Sequence, residues 1–400
     1  MKVLLVGSGG REHALAWKLS RAPSIGELHA APGNPRIASL GLCHPIRAED
    51  GEGLLDLAGS LGVELVVIGP EAPLVAGVAD ELRHQGLAVF GPSREAARIE
   101  GSKSFAKELM QAAGVPTAGA LSVARAPCVI KADGLAAGKG VFVCHAQAEL
   151  DDALREVAAF GDAIVIEELL EGQEVSVFAV CDGARAVALP AAQDFKRIGD
   201  GDEGPNTGGM GSYSPVAADV DGLVEQIHQP VLDELAARGT PFVGALFAGV
   251  MLTADGPRVL EFNCRFGDPE TQSLLPRLES DVLQLLAASA HGDLSGAQLD
   301  VADTAAVTVV LAGRDYPARG DVGSRIDGIP DAEATGALVF HAGTARYGDT
   351  VVTNGGRILN VTATGATVTE ARDRAYAACE SITFPGMRYR RDIAAAVAHV

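Results

Sequence analysis

A chain of 400 residues has the length for about two to four domains of roughly 100–200 residues each, and ample core. Apolar residues at 48% and charged residues at 21% exclude a disordered chain, and aromatic content of only 4% leaves a core of Ala, Val and Leu. With 32 Lys and Arg against 52 Asp and Glu, the net charge of −20 excludes nucleic acid as a partner, so any phosphate-bearing ligand is a small molecule met by a local basic pocket.

The first residues, MKVLLVGSGG, read as a buried strand and its turn, not as a signal peptide, and no apolar run approaches the roughly 18 residues of a membrane span. A cytoplasmic chain without a membrane partner is expected. Six cysteines (Cys43, Cys128, Cys144, Cys181, Cys264, Cys379) form no CxxC pair or zinc spacing and read as reduced thiols.

From Lys2 to Val89 short apolar runs alternate with helical ones in the order βαβαβαβ: KVLLVG, a helix from Glu12, ELHAAPG, a helix over Leu54 to Leu61, ELVVIG, a helix over Leu74 to Gln85, and LAVFG. That pattern predicts a doubly wound parallel sheet with a ligand at the carboxyl ends of its strands. The loop GSGGREH, Gly7 to His13, follows a strand and opens a helix, so its N–H groups and the helix dipole make an anion site. Glu12 stands where a dinucleotide fingerprint needs its third glycine, and the next strand ends in AAPGNP without a ribose-binding acid. A lone phosphate ester fits better than NAD. Gly9, Gly10 and Arg11 would face it, with Asn34 from GNP and Glu71 and Pro73 from GPEAP holding the rest of the ligand. The alternative is that these glycines only shape tight turns.

Ser102 to Ala113 reads as a helix N-capped by Ser102 and stopped by Gly114-Val115-Pro116. CVIKADGLAAGKGVFVC then reads as two strands around a glycine-rich loop, followed by a helix over Glu149 to Phe160 and the strand AIVIEELL. The loop ADGLAAGKG misses the Walker pattern, because Gly140 replaces the Ser or Thr that holds magnesium and a strand follows where a helix is needed. A mobile hairpin folding over a triphosphate, with Lys131 and Lys139 as point charges, is the other use of the same chemistry. Lys131 sits inside the apolar run VIK and needs an anion to meet it. Lys139 reads equally well as a solvated loop residue. IEELLEGQE leaves its strand through an acidic turn whose exposed backbone suits an adenine edge, with Glu174 as an acceptor for ribose hydroxyls; the alternative is an ordinary acidic turn on an acidic protein.

The loop QDFKRIGDGDEGPNTGGMGSYSP is long and rich in glycine, which marks a functional loop. A helix over Val220 to Arg238 leads to the strand FVGALFAGVML and then to VLEFNCRFGDPET. On that strand Glu261 and Asn263 share a face, a hard-oxygen pair suited to magnesium, which takes one or two protein oxygens and fills its shell with water and phosphates. Arg265, Asp268 and Glu270 crowd the turn beyond, and Arg265 suits negative charge developing on a transferring phosphoryl group; the alternative is a strand end with a solvated acid cluster. The last segment, from about Ala305, carries VTVVLA, LVFHAGT, a turn at Thr353 to Gly356, RILNVTATG and a helix over Val368 to Ser381, and reads as a closing α+β domain.

Together VLLVGSGGREHALAW, GPEAPLVAGVADEL, VIKADGLAAGKGV, VIEELLEGQEVS, GPNTGGMGSYSP, LEFNCRFGDPET, FHAGT and VVTNGGR resemble, in order and nearly end to end, the blocks of the ATP-grasp superfamily's bacterial phosphoribosylamine–glycine ligase family. The resemblance implies an α/β and α+β ATP-grasp fold: residues 1–102 as the phosphoribosylamine domain, 103–300 as the ATP-grasp domain with a mobile lid over about 120–187, and 301–400 as the α+β domain. It implies ATP-dependent ligation of glycine to 5-phosphoribosylamine in purine synthesis, by a monomer or weak dimer using Mg2+ or Mn2+. It places Lys103 and Lys131 on the ATP phosphates, Glu168 and Leu170 at the adenine hinge, Glu174 on the ribose, Arg197 and Asn206 beside the nucleotide, Glu261 and Asn263 on the metal, and Arg265 and Lys131 in catalysis. Lys139 is assigned to the nucleotide side and Asp268 to the substrate side. The sequence departs from the family's pattern at Arg36 and Phe195, and FVGALFAGVML lacks the acid that many ATP-grasp relatives carry there as a further metal ligand. Rival readings are another ATP-grasp carboxylate ligase, an NAD-linked oxidoreductase resting on GSGGREH alone, and a nucleotide sensor without turnover.

Overall fold

The computed structural model describes residues 1–135, 139–161 and 163–397. The N-terminal segment forms a five-stranded, wholly parallel sheet in the order Leu42–Cys43, Glu27–Pro32, Lys2–Gly7, Leu65–Ile68, Val89–Phe90. Val3, Leu4, Leu5 and Val6 are fully buried, as expected of a parallel strand covered by helices on both faces. Strand order reverses between Lys2–Gly7 and Leu65–Ile68, so the loops opening at Gly7 and Gly69 lie beside one another at the switch point. The helix expected over Leu74 to Gln85 divides into Glu71–Ala76 and Val78–His84, because Gly77 takes a left-handed φ of +95°. A further helix, Arg94–Gly101, is N-capped by Ser93, whose hydroxyl accepts from the Ala96 N–H.

The centre of the molecule is an eight-stranded sheet in the order Gly256–Asn263, Val243–Thr253, Gln173–Asp182, Ala186–Asp194, Gly211–Ser214, Ala305–Ala312, Arg357–Gly365, Leu338–His341. All its pairings are antiparallel. The segment from Ala305 extends the central sheet with three strands, Ala305–Ala312, Arg357–Gly365 and Leu338–His341. It adds a small sheet of Asp321–Arg325, Thr350–Gly355 and Thr344–Tyr347, and the helix Val368–Ser381. The expected helix from Val220 runs as Val220–Leu223, one wide turn at Val224–His228, and Gln229–Ala237. Pro230, which has no N–H to donate, begins the regular part.

The unit expected to act as a lid is a separate three-stranded antiparallel sheet, Val141–Cys144, Cys128–Ala132 and Ile164–Glu167, backed by the helix Gln147–Val157. Its small core of Cys128, Ile130, Ala132, Cys144, Leu150, Ala153 and Val157 is distinct from the two large clusters of the body. The strand Gln173–Asp182 already belongs to the body sheet. All six cysteines are free, although Cys128 and Cys144 stand directly opposite across two lid strands. Among the described residues no helix is long and apolar enough to cross a membrane.

Candidate active site

A cavity of about 640 Å³ lies between lid, N-terminal sheet and central sheet. Its floor is one face of the central sheet. Gly249 pairs with Ser176 on one side and Glu261 on the other, and Glu174 and Asn263 follow at the two-residue spacing that keeps them on that face. Gly249 has no side chain, which leaves the floor open between its acidic neighbours.

Glu261 is the least engaged of these groups. Among the described residues its carboxylate has no hydrogen bond and no ion pair, yet its pKa is held below the ordinary value: burial would raise it, and Lys196, Lys103, Lys131 and Arg265 outweigh burial. Both Glu261 oxygens remain open to a ligand. The Asn263 amide oxygen accepts one bond, from Arg265 at 3.1 Å. This donor set of hard oxygens fits a divalent cation. Among the described residues no cluster of three or more His, Cys, Asp and Glu is placed to hold a metal ion.

Lys131 lies buried in the strand Cys128–Ala132. The anion it needs is within the chain: its ammonium pairs with Glu167 at 2.7 Å and donates to the Leu260 carbonyl at 2.8 Å. The other Glu167 oxygen pairs with Lys107 at 2.8 Å. Lys103 opens the helix Lys103–Ala112 and reaches the Gly134 carbonyl at 3.4 Å, while its own N–H is accepted by Asp133 at 2.6 Å. At the hinge Glu168 exchanges bonds with Gly119, its N–H donating at 3.0 Å and its carboxylate accepting at 2.6 Å. Neither backbone group of Leu170 has a partner among the described residues.

The acceptor expected at Glu174 is engaged. Lys196 bridges it to Asp194, 3.1 Å from the latter. Burial would discharge Lys196, and Asp194, Glu174 and Glu261 instead push its pKa well up. Glu270 faces the same group, accepts from Ser176 at 3.3 Å, and is pushed up to about 7 by burial and then by Asp194. Arg197 donates to Gly204 at 2.7 Å, and Asn206 donates to the lid carbonyl of Val141 at 3.0 Å.

On the N-terminal side Arg265 spans two acids, Glu71 at 3.3 Å and Glu100 at 3.2 Å. Arg11 pairs with Glu12 at 2.6 Å and donates to Phe266 O at 3.1 Å. Burial would raise the Glu71 pKa, but Arg265 and Arg11 hold it down at about 2. The anion site expected at the first helix is capped from within, since Glu12 accepts the Gly9 N–H at 2.6 Å. A Cβ at Gly7 would lie 2.5 Å from Glu12 Cγ and one at Gly69 2.3 Å from its Oε1, so these two glycines make room for that carboxylate.

A second cavity of about 460 Å³ adjoins, lined by Gly9, Asn34, Thr344 and Asn354 among others. Asp268 and Arg357, paired at 3.0 Å, line both cavities and form their common wall. The expected residues thus divide. Lys103, Lys131, Glu168, Leu170, Glu174, Arg197, Asn206, Glu261, Asn263, Arg265, Arg11 and Glu71 line the main cavity; Gly9 and Asn34 line the second; and Asp268 lines both. Three line neither. Gly10 is packed against Asn360 and Gln272, Pro73 is buried in its helix, and Lys139 is exposed and donates to the Pro317 carbonyl at 2.8 Å. Lys107, Glu167, Lys196, Glu100 and Arg357 were not anticipated. Lys107 had a signal, standing four residues after Lys103 on the same helix face.

The sequence matches three family models: phosphoribosylglycinamide synthetase N domain over residues 1–100, its ATP-grasp (A) domain over 101–271 and its C domain over 306–396. A phosphoribosylamine–glycine ligase of Streptomyces coelicolor is 53% identical, with all of both chains covered. The crystal structure of a Thermotoga maritima phosphoribosylamine–glycine ligase superposes with a TM-score of 0.84 at 34% identity, covering 98% of this chain and 100% of that one. The biotin carboxylase domain of Hydrogenobacter thermophilus 2-oxoglutarate carboxylase, at 18% identity and a TM-score of 0.70 over 97% of this chain and 91% of that one, shares the fold. With family models covering most of its length and a relative at that identity throughout, the chain belongs to the phosphoribosylglycinamide synthetase family.

Proposed function

We propose that this protein ligates glycine to 5-phosphoribosylamine at the expense of ATP, giving glycinamide ribonucleotide, ADP and phosphate. The observation that carries the reading is the open Glu261 carboxylate among four cations, in a cavity that shares one wall with a second, polar cavity. ATP would take the main cavity, with its base at the free edge of Leu170 and its phosphates toward Lys103 and Lys131. Phosphoribosylamine would take the second cavity, near Gly9 and Asn34.

A glycine carboxylate oxygen attacks the γ-phosphorus, the bond to the β-bridging oxygen breaks, and ADP leaves. The sugar amine then attacks the acyl carbon of glycyl phosphate, phosphate departs, and the new amide nitrogen loses its proton. No protein nucleophile is required, because both nucleophiles are substrates. The chain's own work is to orient them, to neutralise charge with Lys131, Lys103 and Arg265, and to keep water from the acyl phosphate. Glu261 and Asn263 would hold a divalent cation, magnesium or manganese in its place, which when bound supplies further charge neutralisation at the phosphates.

The test is ADP release by purified protein with ATP, magnesium, glycine and freshly generated phosphoribosylamine, omitting each in turn. Release that needs both glycine and the sugar amine is expected. Release that persists without either, or that needs a different acid, overturns the substrate assignment.

A further inference from the structure

Lys107 lines the main cavity, yet all of its hydrogen-bonding capacity is spent inside the protein. An ammonium has three donors. Those of Lys107 go to Glu167 Oε1 at 2.8 Å, Thr117 Oγ1 at 2.9 Å and the Ala118 carbonyl at 2.5 Å. Among the described residues Lys131 spends two, on Glu167 Oε2 at 2.7 Å and the Leu260 carbonyl at 2.8 Å. Both lysines are anchored to the strand that carries Glu261. Lys131 binds the Leu260 carbonyl directly, and Lys107 reaches the neighbouring Val259 carbonyl through the Thr117 hydroxyl, which donates to it at 2.7 Å.

We infer that Lys107 is a positioning residue for Lys131: by occupying one oxygen of Glu167 it confines Lys131 to the other and leaves Lys131 one ammonium hydrogen for a phosphate oxygen. This rests on the proposed nucleotide role of Lys131. Without Lys107 both Glu167 oxygens are free to draw Lys131 into a two-pronged pair, and Glu167 loses its tie to the helix Lys103–Ala112.

The test is a double-mutant cycle on the full-length protein, reading ATP and adenosine affinity by calorimetry and folding by thermal melting. Lys107→Met should weaken ATP about tenfold, roughly 1.4 kcal/mol, and leave adenosine within about twofold. Lys131→Met should weaken ATP at least as much, and adding Lys107→Met to it should cost less than about threefold more, because Lys107 then has nothing left to position. Lys107→Arg, which still reaches Glu167, should return ATP affinity to within about threefold of the parent. Additive losses would mean that Lys107 meets the nucleotide itself, and an equal loss of ATP and adenosine would mean a purely structural role. Either result overturns the inference while the reading of Lys131 stands. If Lys131→Met leaves ATP affinity unchanged, the nucleotide role of Lys131 fails and the inference with it.

Discussion

Two junctions meet at the cavity, and they are built from different cations. Where the lid meets the body, Glu167 holds two lysines, and the lid's small core is separate from both large clusters. Where the N-terminal sheet meets the body, Arg265 and Arg11 link Glu71, Glu100, Glu12 and the Phe266 carbonyl. Arginine presents a planar fork of five donors and fixes several partners in one geometry, while lysine is a point charge on a flexible stem. The contrast teaches a division of labour. The arginine junction fixes several partners in one geometry, and the lysine junction ties a unit with its own core to the body through one shared carboxylate.

Removing a group from the arginine junction and removing one from the floor should therefore fail differently. The largest effect is expected on the floor: Glu261→Ala should lower the rate of ADP release by roughly 10²–10³-fold. Its melting temperature should fall only modestly, since Glu261 has no hydrogen bond or ion pair among the described residues to lose and gives up only its attraction to Lys196, Lys103, Lys131 and Arg265. A variant that keeps full activity would dismiss Glu261 from the chemistry.

Arg265→Ala should instead damage the arginine junction. It strands Glu71 and Glu100 without their shared partner and should cost about 3–5 kcal/mol in urea unfolding. The acid limb sharpens the point. The folded pKa of Glu71 is depressed to about 2 from an ordinary 4.5, so its contribution is complete above pH 4.5 and is lost as pH falls toward 2. In Arg265→Ala that part of the stability profile should flatten. An unchanged profile would place the acid sensitivity elsewhere.

How much of this contrast was legible beforehand depends on whether a feature is local. The parallel N-terminal strands, the Ser102 cap and the helix Val368–Ser381 were readable from runs of apolar residues and capping chemistry, because those forces act within a few residues. The division at Gly77 was harder, since a glycine inside a helical pattern is tolerated as often as it breaks one. The merging of the Ala305 segment into the central sheet was not readable, because the pairing of Gly211–Ser214 with Ala305–Ala312 depends on strands far apart in sequence. At the site, Lys131 announced itself by lying in an apolar run, and Glu261 and Asn263 by strand spacing. Their partners did not: Glu167 meets Lys107 and Lys131 across long separations, and Glu174, expected to be free for a sugar, is held by Lys196. Gly10 was read as facing an anion, whereas an added Cβ there would lie 2.2 Å from Asn360 Nδ2, so this glycine serves close packing.

A smaller effect separates burial from pairing on the floor itself. The folded pKa of Glu270 is raised to about 7 from an ordinary 4.5, the opposite sign to Glu71. The folded state binds the extra proton, so stability is complete below pH 4.5 and declines as pH rises toward 7. Glu270→Gln keeps the shape and removes the titration. Free of nucleotide and metal, it should match the parent's melting temperature at pH 4.5 and exceed it at pH 8, by up to about 3 kcal/mol for a shift of that size. A variant less stable than the parent at pH 8 would mean that Glu270 is held charged.

The smallest effect is expected at Lys139, and it bears most directly on the two junctions. Its ammonium rests on the Pro317 carbonyl, outside both cavities and on an exposed surface. A solvated lysine contributes little to a site it does not line, so Lys139→Ala should change the KM for ATP by less than about threefold and kcat by no more. Lys131, in the strand before the same loop, is buried against Glu167 and the Leu260 carbonyl. Two lysines of one hairpin would then differ in consequence because only one is anchored to the floor of the site. A tenfold rise in KM for Lys139→Ala would show instead that the loop leaves Pro317 during turnover and delivers its charge to the triphosphate, which would make the contact with Pro317 the resting position of the lid.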